Sequence, residues 1–165
     1  MEDVVKALGH LTLGTRLRRL GERLQAQTQA VLTEHGIDVP ASHLPLLAAL
    51  DRHGSLNVGG LTQALGVSQP AVTRLIGKLE SDGMVRTLQA AGDLRVRNIE
   101  LTRAGQALVA TAKRTIWPSI DAAVREACTG ATGSLLAGLA ALEVALASAP
   151  LATRVKNPGT RRASA

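Results

Sequence analysis

Apolar positions recur along most of this chain at helical spacing. Leu13, Leu17, Leu20, Leu24 and Val31 fall three, four or seven apart, which predicts a helix from about Thr15 to Glu34 with Arg16, Arg18, Arg19 and Arg23 off the apolar stripe. A short amphipathic piece with Val4, Val5 and Leu8 precedes it, interrupted by "GHLTLG". Gly36 is a natural stop, "IDVPAS" is a connector, and Ser42 can cap a third helix to about His53. Asn57 can cap a fourth through Leu65.

The next stretch, "GVSQPAVTRLIGKLESDG", carries start and stop signals at both ends. Ser68 is placed as N-cap, Pro70 lies in the first turn where a missing N–H costs nothing, and Gly83 ends the helix. Val72, Leu75, Ile76 and Leu79 stand at i, i+3, i+4 and i+7 and form one apolar face. Pro70, Thr73, Arg74 and Gly77 fall opposite, with Lys78 beside them. Leu61, Leu65, Val67, Val72 and Leu75 bracket a tight turn at Gly66, and two helices joined so closely cross steeply, as in a helix-turn-helix.

After Gly83 the spacing changes. "MVRTLQAAGDLRVRNIEL" sets Val, Leu, Ile and Thr around a small polar turn, which predicts a β-hairpin. Arg86 falls on its first strand. Arg95 and Arg97 share a face of its second, with Asp93 two residues before Arg95. A hairpin after a helix-turn-helix makes a winged helix, whose recognition helix fits the major groove while an Arg-bearing wing fits the backbone or a narrow minor groove. Ser68, Gln69, Pro70, Thr73, Arg74, Lys78, Arg86, Asp93, Arg95 and Arg97 are therefore the candidate DNA-facing residues. The plain alternative for Arg74 and Lys78 is a solvated helix face; for Arg95 it is a hairpin ion pair with Asp93. "LTRAGQALVATAKRTI" is helical again with Thr102 as a possible cap, "WPS" breaks it, and an Ala- and Leu-rich helix spans 132–149. There Leu135, Leu139, Leu142 and Leu146 form a seam spaced four, three and four. Glu143 near the middle of that helix argues against a membrane span.

The helix-turn-helix and wing, "LTQALGVSQPAVTRLIGKLESDGMV" with "DLR", "LT" and "RAG" beyond it, resemble the multiple antibiotic resistance regulator (MarR) family over about residues 8–148. The resemblance implies a mostly α fold with a small β-hairpin wing, a winged helix-turn-helix (37–103) flanked by dimerisation helices (1–36 and 104–149) in a single domain, 1–149. It implies a homodimeric transcription regulator, usually a repressor, that binds double-stranded DNA at a pseudo-palindromic operator and is often released by a small-molecule effector. Leu17, Leu20, Leu135, Leu139, Leu142 and Leu146 would hold the dimer. Ser68 to Leu79 would read bases, and Asp93 and Arg95 would be the wing pair. Gly59-Gly60 departs from good helix formers and should loosen the first helix of the motif by ~1 kcal/mol per Gly. The aromatic residues that often line the family's ligand cleft are missing.

Composition narrows this reading. The 165 residues suffice for one domain with a sizeable core. Trp117 is the only aromatic residue, so the core is aliphatic and stacking on single-stranded bases is disfavoured. The net charge of +6 suggests an anionic partner, yet 151–165 alone holds Arg154, Lys156, Arg161 and Arg162 with no acid. With Pro158 and Gly159 nearby, residues 150–165 read as a disordered basic tail, either a phosphate-contacting arm or an idle solvated segment. The lone Cys128 excludes an internal disulfide and fits a reducing cytoplasm; it is an inert thiol or a redox sensor. The N-terminus has no signal-peptide pattern.

Of the histidines, His43 shares a face with Leu47 and Leu50. It is either a hydrogen-bonded histidine at an interhelix edge or, with Leu47, part of a ligand pocket. No Cys partner or HxxxH spacing supports zinc, and no P-loop, GxSxG or carboxylate–histidine cluster supports an enzyme or calls for a cofactor. A winged helix used only for protein interaction keeps the fold without DNA.

Overall fold

The computed structural model describes residues 1–90, 93–129 and 133–156, with the backbone alone at 90, 93–96, 152, 155 and 156. The segments with helical spacing are helices: α1 (Val4–Ala7), α2 (Leu13–Glu34), α3 (Leu44–His53), α4 (Val58–Leu65) and α5 (Gln69–Ser81), then α6 (Arg103–Thr115), α7 (Trp117–Ala127), α8 (Leu135–Ser148) and α9 (Leu151–Lys156). Strands β1 (Leu56–Asn57), β2 (Val85–Ala90) and β3 (Asp93–Leu101) form an antiparallel sheet in the order β1-β3-β2. The fold is mostly helical with a winged helix. The sheet has one strand more than a simple hairpin, because Leu56 and Asn57 pair with Ile99 and Asn98 before the chain enters α4.

Contacts divide the chain into two units, Met1–Ile120 and Asp121–Ala165, and the division falls within α7. In the first unit the core is aliphatic. Leu32 of α2, Leu46, Leu47 and Leu50 of α3, Leu61 of α4, Val72, Ile76 and Leu79 of α5, Ile99 of β3 and Val109 and Ile116 around α6 are buried together.

Local chemistry sets the boundaries. Gly66 adopts φ 64°, ψ 24°, the left-handed conformation that lets α4 stop and α5 start within three residues. Asn57 caps α4 through a 2.8 Å bond from the Gly60 N–H, and a Cβ at Gly60 would come within 3.3 Å of Leu56 Cδ2. Gly60 thus fits the turn where β1 becomes α4, a role that propensity alone does not show. Thr102 caps α6, accepting from the Gly105 N–H at 3.1 Å. Ser42 does not cap α3. It lies inside a 3-10 turn, Ala41–His43, and His43 occupies the cap position without a side-chain bond. Pro45 near the start of α3 explains this, since a ring in the first turn needs no N–H partner.

In the second unit, Ser134 caps α8 by accepting from the Ala137 N–H at 3.3 Å. The expectation of a structureless tail meets α9 at its start, and 157–165 lie outside the described residues. Arg154 explains the added order. Its Nε donates to the Ala149 carbonyl at 2.8 Å and its Nη2 to the Ala145 carbonyl at 2.6 Å. A guanidinium on these carbonyls, of which Ala145 also accepts from the Ala149 N–H, complements the negative end of that helix. Among the described residues no helix is long and apolar enough to cross a membrane.

Candidate nucleic-acid interface

Helix α5 divides as its sequence predicts. Val72, Ile76 and Leu79 are buried, whereas Ser68, Gln69, Pro70, Thr73, Arg74, Gly77 and Lys78 are exposed on the other side. Ser68 stands at the N-cap with extended backbone (ψ 149°), but its hydroxyl makes no capping bond. The hydroxyl remains outward-facing, with donor and acceptor capacity for an external partner. Thr73 donates back to the Gln69 carbonyl at 3.0 Å, which leaves it mainly acceptor capacity toward a ligand. Arg74 forms no ion pair among the described residues, so its guanidinium fork can meet an external anion or a guanine edge. Lys78 is tied to Asp82, one turn on, at 2.9 Å. Both partners are solvent-accessible, and a pair of that kind is worth at most about 1 kcal/mol, so a phosphate can compete for Lys78.

The wing separates its arginines by parity. Directly paired residues share a face of the sheet, and alternate residues along a strand do the same. Val85 and Ile99 are buried, and Thr87 donates to Glu80 of α5 at 2.5 Å. The face carrying Val85, Thr87 and Gln89, with their partners Leu101, Ile99 and Arg97, is therefore the one toward the core and α5. Arg97, exposed and opposite Gln89, lies on it. Arg86 does not, so the two faces of the wing each carry an arginine, and its exposed ion pair leaves Arg86 as open to a phosphate as Lys78 is. It lies on the reverse face opposite Glu100, which accepts from Arg86 Nε at 2.6 Å and closes an ion pair with the guanidinium. The side chains of Asp93 and Arg95 lie outside the described residues, so the expected wing pair belongs to sequence alone.

His43 and Leu47 do not form a pocket wall. Leu47 is fully buried, His43 is 7% exposed, and both belong to the inner face of the segment that opens α3. The adjacent face does line a cavity. Ala41, Leu44, Pro45 and Ala48 on one side and Gly21, Leu24, Gln25 and Thr28 of α2 on the other, with Trp117, flank a solvent-open groove of about 470 Å³. Each set of four stands at i, i+3, i+4 and i+7, a spacing readable in sequence once the two faces are known to oppose each other.

His43 Nδ1 is buried without a hydrogen-bond partner among the described residues. Burial holds its pKa below the usual 6.5, Asp82 opposes that shift, and Lys78 reinforces it. The unfolded chain thus binds the proton more readily than the folded one. The stabilisation from a neutral His43 is complete above about pH 6.5, is lost as pH falls from there toward the depressed folded value, and levels off below it. Thermal melts from pH 7.5 to 5 should therefore show a steeper acid-side loss in the parent than in His43→Leu. Parallel curves would remove His43 from the pH response.

The expected dimer residues leave apolar surface in water. Leu17 is 36%, Leu20 46%, Leu135 42% and Leu146 41% exposed, while Leu139 and Leu142 are half-buried. On the other side of α8, Leu136 and Val144 are more open still, at 78% and 69%.

Residues 37–95, from the connector after α2 to the second wing strand, match the family model described as MarR family. The HTH-type transcriptional repressor MdtR of Bacillus subtilis (strain 168) is 30% identical over 89 residues, which cover 54% of this chain and 56% of that protein. The match thus spans little more than half the length of this curated relative. Among solved structures, a cysteine-to-serine mutant of MarR from E. coli complexed with operator DNA is similar with a TM-score of 0.60 at 22% identity, over 79% of this chain and 93% of that one. BpsR of Bordetella bronchiseptica, whose structure concerns regulation of its DNA binding by 6-hydroxynicotinic acid, gives 0.62 at 21% identity over 82% and 98%. At these identities the two structures establish the fold alone, a winged helix-turn-helix, and the match to the MarR family model is confined to residues 37–95.

Proposed function

We propose that this protein is a homodimeric, sequence-specific DNA-binding transcription regulator, a repressor released by a small-molecule effector. The observation that carries this reading is the outward face of α5, where Ser68, Gln69, Thr73 and Arg74 stand exposed, followed by a wing whose second strand carries an exposed Arg97. A major groove admits one helix, and phosphate contacts from a wing fix its register while base edges supply the choice. The operator-bound MarR of E. coli and the repressor MdtR support the DNA partner by kinship. In a dimer, two such helices would read half-sites about 34 Å apart, which calls for a pseudo-palindromic operator.

The cavity between α2 and α3 is the effector site in this reading. The Ala41 N–H that closes one wall donates to Gln29 of α2 at 2.7 Å. Two residues on, His43 is close enough to Lys78 and Asp82 at the end of α5 to feel their charges. A ligand that moves the Ala41–His43 turn can therefore change the recognition helix's setting, and a ligand preferring the non-binding setting lowers operator affinity by linkage.

Fluorescence anisotropy or gel shift with the intergenic DNA flanking the protein's own gene tests the central claim. Arg74→Ala should weaken specific binding by about 1–3 kcal/mol and relax the preference at one position of each half-site. Unchanged affinity and unchanged base preference in that variant would show that α5 does not read DNA through Arg74.

A further inference from the structure

We infer that the cavity between α2 and α3 takes an uncharged, largely apolar small molecule rather than an organic anion; the inference rests on reading that cavity as the effector site and names its ligand class. The chain as a whole is basic, with a net charge of +6, and an anion would be the first guess for its ligand. None of that charge reaches the cavity: among the described residues its lining holds no lysine, arginine, histidine, aspartate or glutamate. Its volume of about 470 Å³ lies in the range of small-molecule sites. The space exists because small side chains meet there, Gly21 on α2 against Ala41 and Ala48 at the start of and along α3.

The polar groups that do face it are few and neutral. Gln25 and Thr28 lie one turn apart on α2, and neither side chain has a hydrogen-bond partner among the described residues. An amide and a hydroxyl can each donate and accept, and the Trp117 indole adds a donor. Such a set matches a carbonyl, hydroxyl or amide on an apolar frame. The groove is open to solvent, but a carboxylate lying on it meets no cation, whereas a neutral polar group can pair with Gln25 and Thr28 while its apolar frame covers Leu24, Leu44 and Pro45. BpsR is regulated by a carboxylic acid, so this chain would differ in ligand class from that structural neighbour.

Trp117 is the only aromatic residue in the chain and lines the cavity, so its emission reports occupancy directly. Full-length protein is titrated with adamantane-1-carboxamide and with adamantane-1-carboxylate, a pair that differs in charge and does not absorb where Trp117 is excited. The amide should change the emission saturably, and the carboxylate should bind roughly tenfold more weakly or worse. Gly21→Leu fills the cavity from a site where an added Cβ meets nothing within 4 Å. It should remove amide binding while the melting temperature holds. Equal or tighter carboxylate binding overturns the inference, as does amide binding undiminished in Gly21→Leu. If neither probe binds and Gly21→Leu shifts the oligomeric state, a second copy fills the groove and the inference also fails. The same titrations on the DNA complex separate the two claims. Amide binding without DNA release leaves the ligand class standing and removes the effector role. DNA release by the carboxylate alone keeps the effector role and overturns the ligand class.

Discussion

Gly105→Ala should destabilise the protein by about 3 kcal/mol, a fall in melting temperature of roughly 6–12 °C. Alanine is ordinarily the better helix former by up to ~1 kcal/mol, so propensity alone predicts the opposite sign. Geometry decides. A Cβ on Gly105 would lie 2.1 Å from the Met84 carbonyl oxygen and 3.1 Å from its carbon. That obstacle is backbone, and it is fixed in place. The Met84 carbonyl accepts from the Thr102 N–H at 3.0 Å, while the Thr102 hydroxyl donates to the Gly83 carbonyl at 2.6 Å and in turn accepts from the Gly105 N–H at 3.1 Å. These bonds join the end of the recognition-helix segment, the first wing strand and the start of α6. Room for a methyl comes only by parting them. Gly77→Ala is the matched control. It also lies within a helix, but its Cβ would meet nothing within 4 Å, and it should raise the melting temperature by roughly 2–4 °C. Thermal melts of both variants check the pair; Gly105→Ala at or above the parent temperature would show that the joint yields without cost.

That joint marks where the sequence stops being legible. The i, i+3, i+4, i+7 pattern of Val72, Leu75, Ile76 and Leu79 identified the recognition helix and its outward face, because helical periodicity is local. Gly66 was readable for the same reason: a left-handed turn between two apolar faces asks for glycine. Gly105 was not. It stood only as part of "RAG", and its necessity comes from Met84, more than twenty positions away. The face that Arg86 takes was not legible for a related reason. Along β2, Val85 and Thr87 alternate with Arg86 and Leu88, so each face offers one good candidate for the core, and only the pairing with β3 decides between them. The two-residue β1 is too short for any period to register. At the start of α3 the sequence correctly showed His43, Leu47 and Leu50 sharing a face. That face is the one the core uses, and the cavity lies on the face beside it.

Leu139→Asp combined with Leu142→Asp should convert the proposed dimer to a monomer at micromolar concentration and remove high-affinity operator binding. Helix α8 contains one charged residue, Glu143; four of its leucines form the seam, and Leu136, Val144 and the alanines carry apolar surface around the rest of its circumference. A helix apolar on all sides belongs in an interior, yet Leu135, Leu136, Val144 and Leu146 each remain well exposed in the single chain. A second copy supplies the missing cover at a stroke, since a two-fold interface sets the same seam against itself. Two aspartates per chain would place four carboxylates in that seam, each costing several kcal/mol if buried without a cation. The dissociation constant should rise by three orders of magnitude or more, as ~4 kcal/mol already implies a thousandfold. The variant should keep its helical circular dichroism, because neither position is buried in the single chain. Its operator affinity falls because each chain then meets one half-site alone, whereas Arg74→Ala should lose affinity while remaining dimeric. Light scattering and DNA titration on the two variants therefore resolve assembly from base reading. A double-aspartate protein that stays dimeric places the interface elsewhere, and one that is monomeric yet binds the operator at full strength shows that DNA recognition needs only a single chain.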